Sequence, residues 1–310
     1  MSIQSINSRN GFQGIWPAML TPLDKVLSID HAKLASHAHS LLKAGCGGVT
    51  IFGTTGEGPS FSLHERKEAV EKLIANGFPA DRIMVSTSCA SLVETTELTQ
   101  HAVDLGVHGC LVLPPFFFKG VSDEGIVNGY AQVIDGVNRS NWRLYLYHIP
   151  QVIGVPLSHD VIQQLIQRYP QIIVGIKDSG CDQDHSVGLA KAFMPPLTVY
   201  VGYEPDLTKL GLLGSTGAIS GLANFMPRVV HRMVLDPTAP QTVHDAQRIH
   251  NILELLKPYS LMPALKGVMA ALTHDESWLR VRAPLVPMTS SAYSEFAKTV
   301  DAFGIDSLHE

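Results

Sequence analysis

Lys177 ends the apolar run Ile172-Ile173-Val174-Gly175-Ile176 and is followed at once by Asp178-Ser179-Gly180, so an amine stands where a buried strand meets open space. A lysine desolvated at the mouth of an apolar site has its charged form disfavoured, and the free amine can attack a carbonyl carbon. Three other segments close apolar runs with groups that suit this use. In Gly53-Thr54-Thr55-Gly56-Glu57 the glycines let backbone amides converge and two hydroxyls add donors, a form suited to cradling a carboxylate. Tyr147-His148-Ile149-Pro150 offers a phenol able to pass protons, and Gly202-Tyr203-Glu204 offers an acid. An amine nucleophile, a phenol and an anion cradle are what imine chemistry on a 2-oxo acid requires.

Each piece also has an ordinary structural use. The lysine could leave the sheet and snorkel to solvent, Gly-Thr-Thr-Gly could be a tight strand-to-helix turn, and Tyr147 could be a rim aromatic whose hydroxyl finds a partner. The run Phe116-Phe117-Phe118 suits a core as well as a substrate contact. Gly214-Ser215-Thr216-Gly217 has the look of a phosphate loop but precedes a strand, which places it on the stability face of the fold.

The elements that must carry these groups follow from periodicity. Short apolar runs at Gly14-Thr21, Gly48-Phe52, Ile83-Thr87, Gly109-Leu113, Arg143-His148, Ile172-Lys177, Leu197-Val201 and Gly217-Ser220 read as strands, with amphipathic helical runs between them. Ser62-Leu63-His64-Glu65 and Ser91-Leu92-Val93-Glu94 have the capping-box form that starts a helix. Eight near-continuous apolar strands alternating with helices predict an α/β chain of the (β/α)8 TIM barrel class. The rival, a doubly wound open sheet, would place a Gly-x-Gly-x-x-Gly turn after the first strand; here that strand ends in Thr21-Pro22. Helical runs alone follow, at Thr242-Lys257, Pro263-Thr273 and Ser290-Phe303, so the expected division is a catalytic barrel over 1–236 and a C-terminal helical extension over 237–310.

Composition narrows the classes. The chain has 310 residues, 45% hydrophobic and 16% charged, and a net charge of -5 from 23 basic and 28 acidic residues, so no basic stripe recommends a nucleic-acid partner. His31, His37 and His39 do not form a ligand pair on one helix face, and no metal site is indicated. Cys46, Cys89, Cys110 and Cys181 each lie beside an apolar segment without a Cys-x-x-Cys, which reads as buried reduced thiols. Met1 to Asn10 is polar, and the longest apolar stretch, Cys110 to Phe118, is too short for a bilayer, so a cytoplasmic protein with no membrane partner is expected.

Five ordered segments resemble the dihydrodipicolinate synthase and N-acetylneuraminate lyase superfamily: Gly53-Thr54-Thr55-Gly56-Glu57, Pro114-Pro115-Phe116-Phe117-Phe118-Lys119, Tyr147-His148-Ile149-Pro150, Gly175-Ile176-Lys177-Asp178-Ser179 and Gly217-Ala218-Ile219-Ser220-Gly221-Leu222-Ala223-Asn224. The resemblance runs from about Gly14 to Pro287. It implies that Lys177 forms a Schiff base with the keto carbon of pyruvate or a pyruvate-derived acid and that Tyr147 shuttles protons. It further implies that Thr54 and Thr55 hold the carboxylate with their amides, Gly53 and Gly202 flanking them, and that the Ile219 carbonyl faces the same pocket. No metal or organic cofactor is implied, and the resemblance suggests a homo-oligomer, a tetramer.

Two departures separate the chain from the synthases. Val152 stands where they place an arginine for the aldehyde's carboxylate, and Phe117 stands where a neighbouring subunit lends a tyrosine. Against the neuraminate lyases, Gly202-Tyr203-Glu204-Pro205 keeps one acid and puts a proline at the second. The resulting expectation is a Schiff-base lyase or aldolase for a 2-keto-3-deoxy sugar acid, with Glu204, His148 and Gln151 as polar tail contacts and Phe117 at the rim. Dehydration of such an acid, decarboxylation of an oxaloacetate-like acid, 4-hydroxy-tetrahydrodipicolinate synthesis and a keto-acid-binding sensor barrel are the alternatives.

Overall fold

The computed structural model describes residues 11–195, 197–303 and 305; the polar start read at Met1 to Asn10 lies outside the described residues. Strand and helix alternate from β1 (Gly14–Ile15) through α1 (His31–Lys43), β2 (Val49–Ile51), α2 (Leu63–Ala75), β3 (Ile83–Ser86), α3 (Leu92–Asp104), β4 (Gly109–Val112) and α4 (Asp123–Val137). They continue with β5 (Leu144–His148), the single turn α5 (Pro150–Ile153), α6 (His159–Arg168), β6 (Ile173–Asp178), α7 (Gln183–Phe193), β7 (Thr198–Val201), α8 (Leu207–Leu212), β8 (Gly217–Ala218) and α9 (Pro227–Leu235). Three helices follow, α10 (Thr242–Leu256), α11 (Leu261–Thr273) and α12 (Ser290–Ala302).

The eight strands form one parallel sheet in the order β1-β8-β7-β6-β5-β4-β3-β2. A parallel bridge between Ala18 and Thr50, flanked by bonds from Met19 N to Thr50 O and from Thr50 N to Pro17 O (both 2.8 Å), joins the outer strands and closes the barrel. The first strand is shorter than its apolar run because Pro17 has no amide to give the ladder. Pairing nevertheless resumes past it, from Ala18 N to Ser220 O at 2.9 Å. Ser62 and Glu65 complete the capping box of α2, whereas at α3 the Ser91 hydroxyl accepts the Glu94 amide and forms the forward half alone.

The floor of the barrel is aromatic. Phe12 stacks on Tyr200 with ring centroids 4.0 Å apart, its amide donates to the Tyr145 hydroxyl (3.2 Å), and the Tyr200 hydroxyl donates to its carbonyl (2.9 Å). These rings decide a glycine one strand away: a Cβ on Gly175 would lie 2.5 Å from Tyr200 Cε2 and 2.9 Å from Tyr145 Cδ1. The Ser215 hydroxyl of the Gly-Ser-Thr-Gly segment is spent on the Val199 and Gly217 carbonyls, a structural use.

The C-terminal part is anchored to the mouth of the barrel. Lys33 pairs with Asp275, Trp278 packs edge-on against His37, and Arg280 and Arg282 donate to the Leu23, Leu27 and Ser60 carbonyls. One thiol departs from expectation: Cys46 and Cys110 are buried and Cys89 partly so, but Cys181 is exposed, carried outward by a left-handed turn at φ 55° after β6. Among the described residues no helix is long and apolar enough to cross a membrane.

Candidate active site

Alternation along β5 and β6 builds the site in two layers. Tyr145 and Gly175 are register partners in the lower layer, and Tyr147 and Lys177 are partners directly above them. Lys177 also pairs in register with Tyr200 on β7, so the amine rises from an aromatic floor. Both Lys177 and Tyr147 are almost fully buried, at 4% and 2% exposure. Lys177 Nζ lies 3.2 Å from the Tyr147 hydroxyl and 4.3 Å from the centroid of its ring. The same hydroxyl is 3.2 Å from Thr54 Oγ1, giving a continuous line from amine to phenol to threonine. Among the described residues no carboxylate pairs with Lys177, so its amine is not committed to a structural ion pair.

Gly202 clears the path of the lysine. A Cβ there would sit 2.8 Å from Lys177 Cε, 2.1 Å from Ser179 Oγ and 2.9 Å from the Asp178 carbonyl. Its own amide donates to that carbonyl at 2.7 Å, which fixes β7 against the end of β6.

The loop after β2 folds back on itself. Gly58 N donates to Gly53 O and Glu57 N to Thr54 O, while the Thr21 hydroxyl holds the Gly56 carbonyl at 2.7 Å. Gly58 is required by packing, since its Cβ would meet the Phe52 carbonyl at 2.0 Å; Gly53 faces open space. Among the described residues the amides of Thr54 and Thr55 have no acceptor, and unsatisfied donors on a loop whose Thr54 hydroxyl meets Tyr147 are suited to a carboxylate. Thr55 is buried against Gly221 of the loop after β8, and Ile219 beside it is buried with its amide on the Val201 carbonyl.

The remaining expected contacts are dispersed. His148 alternates with Tyr147 and therefore leaves the sheet on its outer side, where Nδ1 accepts the Leu157 amide (3.1 Å) and the ring stacks on His185 with centroids 4.2 Å apart. This withdraws His148 from the tail contacts, and burial pushes its imidazole down to about 4. Glu204 is buried and fastened by Oε1 to the Ser220 hydroxyl (2.6 Å) and the Leu222 amide (3.3 Å). Gln151 donates to the Ser179 carbonyl. Phe117, 68% exposed, meets Phe118 edge-on, and Val152 is 59% exposed on α5.

His148, Asp178 and His185 bring ligand-type atoms within 4.8 Å of one another. They do not suit a metal: a neutral imidazole whose Nδ1 lone pair accepts an amide carries its proton on Nε2, so His148 has no lone pair left to give.

Two residues to which the sequence assigned no role frame the site. Asn224 bonds Leu20 N, Ala18 O, Gly221 O and His37, tying the ends of β1 and β8. Lys266 of α11 is fully buried against Glu57. Each carries a legible signal, a polar residue inside an otherwise apolar segment: Leu222-Ala223-Asn224-Phe225 and Leu261–Thr273.

The sequence profile described as the dihydrodipicolinate synthetase family matches residues 11–303. The chain belongs to that family. It is 33% identical over 281 residues to an uncharacterized DapA-like lyase of Chloroflexus aurantiacus, covering 90% of this chain and 92% of the relative. The crystal structure of dihydrodipicolinate synthase from Agrobacterium tumefaciens shares the fold with a TM-score of 0.88 at 31% identity, over 94% of this chain and 99% of that one. YagE of Escherichia coli K12, described as a putative 2-dehydro-3-deoxy-D-gluconate aldolase, is 31% identical over 221 residues, 70% of this chain and 72% of its own. Its complex with pyruvate shares the fold with a TM-score of 0.86 at 25% identity, covering 95% of this chain and 99% of YagE. This family member is therefore a (β/α)8 enzyme of the class I aldolase and lyase kind.

Proposed function

We propose that Lys177 forms an imine with the keto carbon of a 2-keto-3-deoxy sugar acid and that the enzyme cleaves, or in reverse forms, the adjacent carbon-carbon bond. The observation that carries this reading is the unbroken Lys177, Tyr147, Thr54 line with both contacts at 3.2 Å. The amine attacks the keto carbon while Tyr147 delivers a proton to the carbonyl oxygen, and the carbinolamine loses water. The iminium then accepts the electron pair of the C3-C4 bond, the C4 hydroxyl gives its proton to Tyr147, and the aldehyde departs. The enamine left behind takes a proton at C3 and is hydrolysed to pyruvate and free Lys177. Thr54 and Thr55 hold the substrate carboxylate, with the Ile219 carbonyl in the same pocket.

A neutral, hydroxylated tail is favoured by what surrounds it. Val152 and Phe117 are both exposed and bring neither a cation nor a hydroxyl, and Gln151 and Glu204 are held by Ser179 and by Ser220 with Leu222, so no fixed cation awaits a second carboxylate among these expected contacts. Phe117 and Phe118, at 68% and 74% exposure, supply apolar surface that a second copy of the chain would cover, in keeping with a homo-oligomer. Borohydride added with pyruvate should leave a stable mass adduct on the Lys177 peptide. An adduct on Lys119 or Lys266 instead would remove the reading.

A further inference from the structure

We propose that Lys266, carried by α11 outside the barrel, is a positioning residue for the carboxylate cradle: through its ion pair with Glu57 it fixes the loop that presents the Thr54 and Thr55 amides. The inference rests on the reading that this loop binds the substrate carboxylate. Glu57 and Lys266 face each other with both side chains wholly out of solvent. Lys266 is the one charged residue of α11, Leu261–Thr273, and its ammonium makes a second bond to the Arg280 carbonyl at 2.8 Å. Glu57 closes the cradle in a left-handed conformation, φ 56°, with its amide on the Thr54 carbonyl at 3.1 Å. Two groups bear on this carboxylate, the Lys266 ammonium opposite it and Arg282, which adds its charge and its backbone amide.

A pair this deep contributes little net stability, because desolvation offsets its attraction and apolar residues of similar volume often serve as well. Burial pushes the Glu57 carboxyl up and the Lys266 ammonium down, and the charge of each partner opposes the shift of the other. What the pair does supply is a fixed place for the residue three positions after Thr54. The same face of the C-terminal segment holds the far end of the loop, where Arg282 Nη1 donates to the Ser60 carbonyl at 3.0 Å. Rotation of the cradle would turn the two unpartnered amides away from the lysine, and loss of alignment at a reacting centre is costly in affinity and rate.

The test compares wild type with Lys266→Met and with the double variant Glu57→Gln/Lys266→Met, which leaves no unpaired buried charge. Borohydride trapping on Lys177 is measured against concentration for pyruvate and for hydroxyacetone, an imine-forming ketone without a carboxylate. The expected result is a rise of roughly tenfold or more in half-saturation for pyruvate, with trapping of hydroxyacetone unchanged. Wild-type half-saturation in a folded variant would overturn the proposal, and so would equal losses for both ketones. Failure of both variants to fold would make the pair purely structural and end it too. If wild type itself shows no preference for pyruvate over hydroxyacetone, the reading of the cradle fails instead, and the two failures are distinct.

Discussion

Tyr147 and Lys177 are register partners on adjacent parallel strands, so the 3.2 Å between phenol and amine is set by the sheet and not by a mobile loop. Thr54 approaches the same hydroxyl from the loop after β2. An arrangement held by backbone pairing keeps its geometry through a catalytic cycle without reorganisation.

Removing the phenol isolates its part. Tyr147→Phe should retain the fold and the borohydride adduct with pyruvate while turnover falls by about 10² to 10⁴, the range for a lost proton-transfer group. Weaker binding with unchanged turnover would show that Tyr147 only contacts substrate.

Thr55→Val tests the cradle. A carboxylate bond to a neutral donor exists in ground and transition states alike, so its loss should raise KM more than it lowers kcat. Identical Michaelis constants across several 2-oxo acids would remove Thr55 from the site.

Gly202→Ala puts a methyl group 2.8 Å from Lys177 Cε and 2.9 Å from the Asp178 carbonyl, which is backbone and cannot rotate away. Stability should fall by about 1 to 3 kcal/mol, the usual cost of overpacking. Imine formation should slow by more than that loss explains. Wild-type trapping kinetics in this variant would show that the lysine has an alternative path.

Val152 is exposed and brings no cation, so the proposed reading expects poor use of an aldehyde that bears a carboxylate. The missing charge-assisted bond, together with desolvation, is worth on the order of 2 to 5 kcal/mol. Aspartate semialdehyde should therefore be used no better than neutral hydroxyaldehydes of similar size, and Val152→Arg should shift preference toward it. Efficient wild-type condensation with aspartate semialdehyde would return the chain to the synthase activity.

Acid sensitivity follows from His148, whose imidazole burial holds at about 4 against an ordinary 6.5. As pH falls below 6.5 the unfolded chain takes up this proton first. The stabilisation is complete above 6.5 and is lost as pH falls toward 4, roughly 3 kcal/mol in all. His185 acts in the opposite sense: its hydrogen bond to Asp178 raises it, so its contribution is present below 6.5 and lost as pH rises through the raised value. His148→Asn keeps an acceptor for the Leu157 amide and should flatten the decline in thermal midpoint between about pH 6.5 and 4. An undiminished slope would move the effect to His108, which burial also lowers to about 4.

The sequence by itself determined the barrel and which polar residues stand at the C-terminal ends of its strands. Near-continuous apolar runs and glycines are local signals, and residues that end a parallel strand lie at the C-terminal rim, so Lys177, Tyr147 and Gly53 to Glu57 were legible from spacing. The tertiary structure decided what local signals cannot carry. His148 follows Tyr147 by one residue, and the pleat alone sends it to the opposite side of the wall, where the Leu157 amide and His185 fill its needs. Glu204 was recognisable as an acid near the rim, but its bonds to Ser220 and Leu222, 16 and 18 residues further on, depend on the ends of β7 and β8 lying side by side. Glu57 and Lys266 lie more than two hundred residues apart, and no periodicity links them. Only packing of the C-terminal helix over the loop excludes water from both and sets their opposite charges against each other.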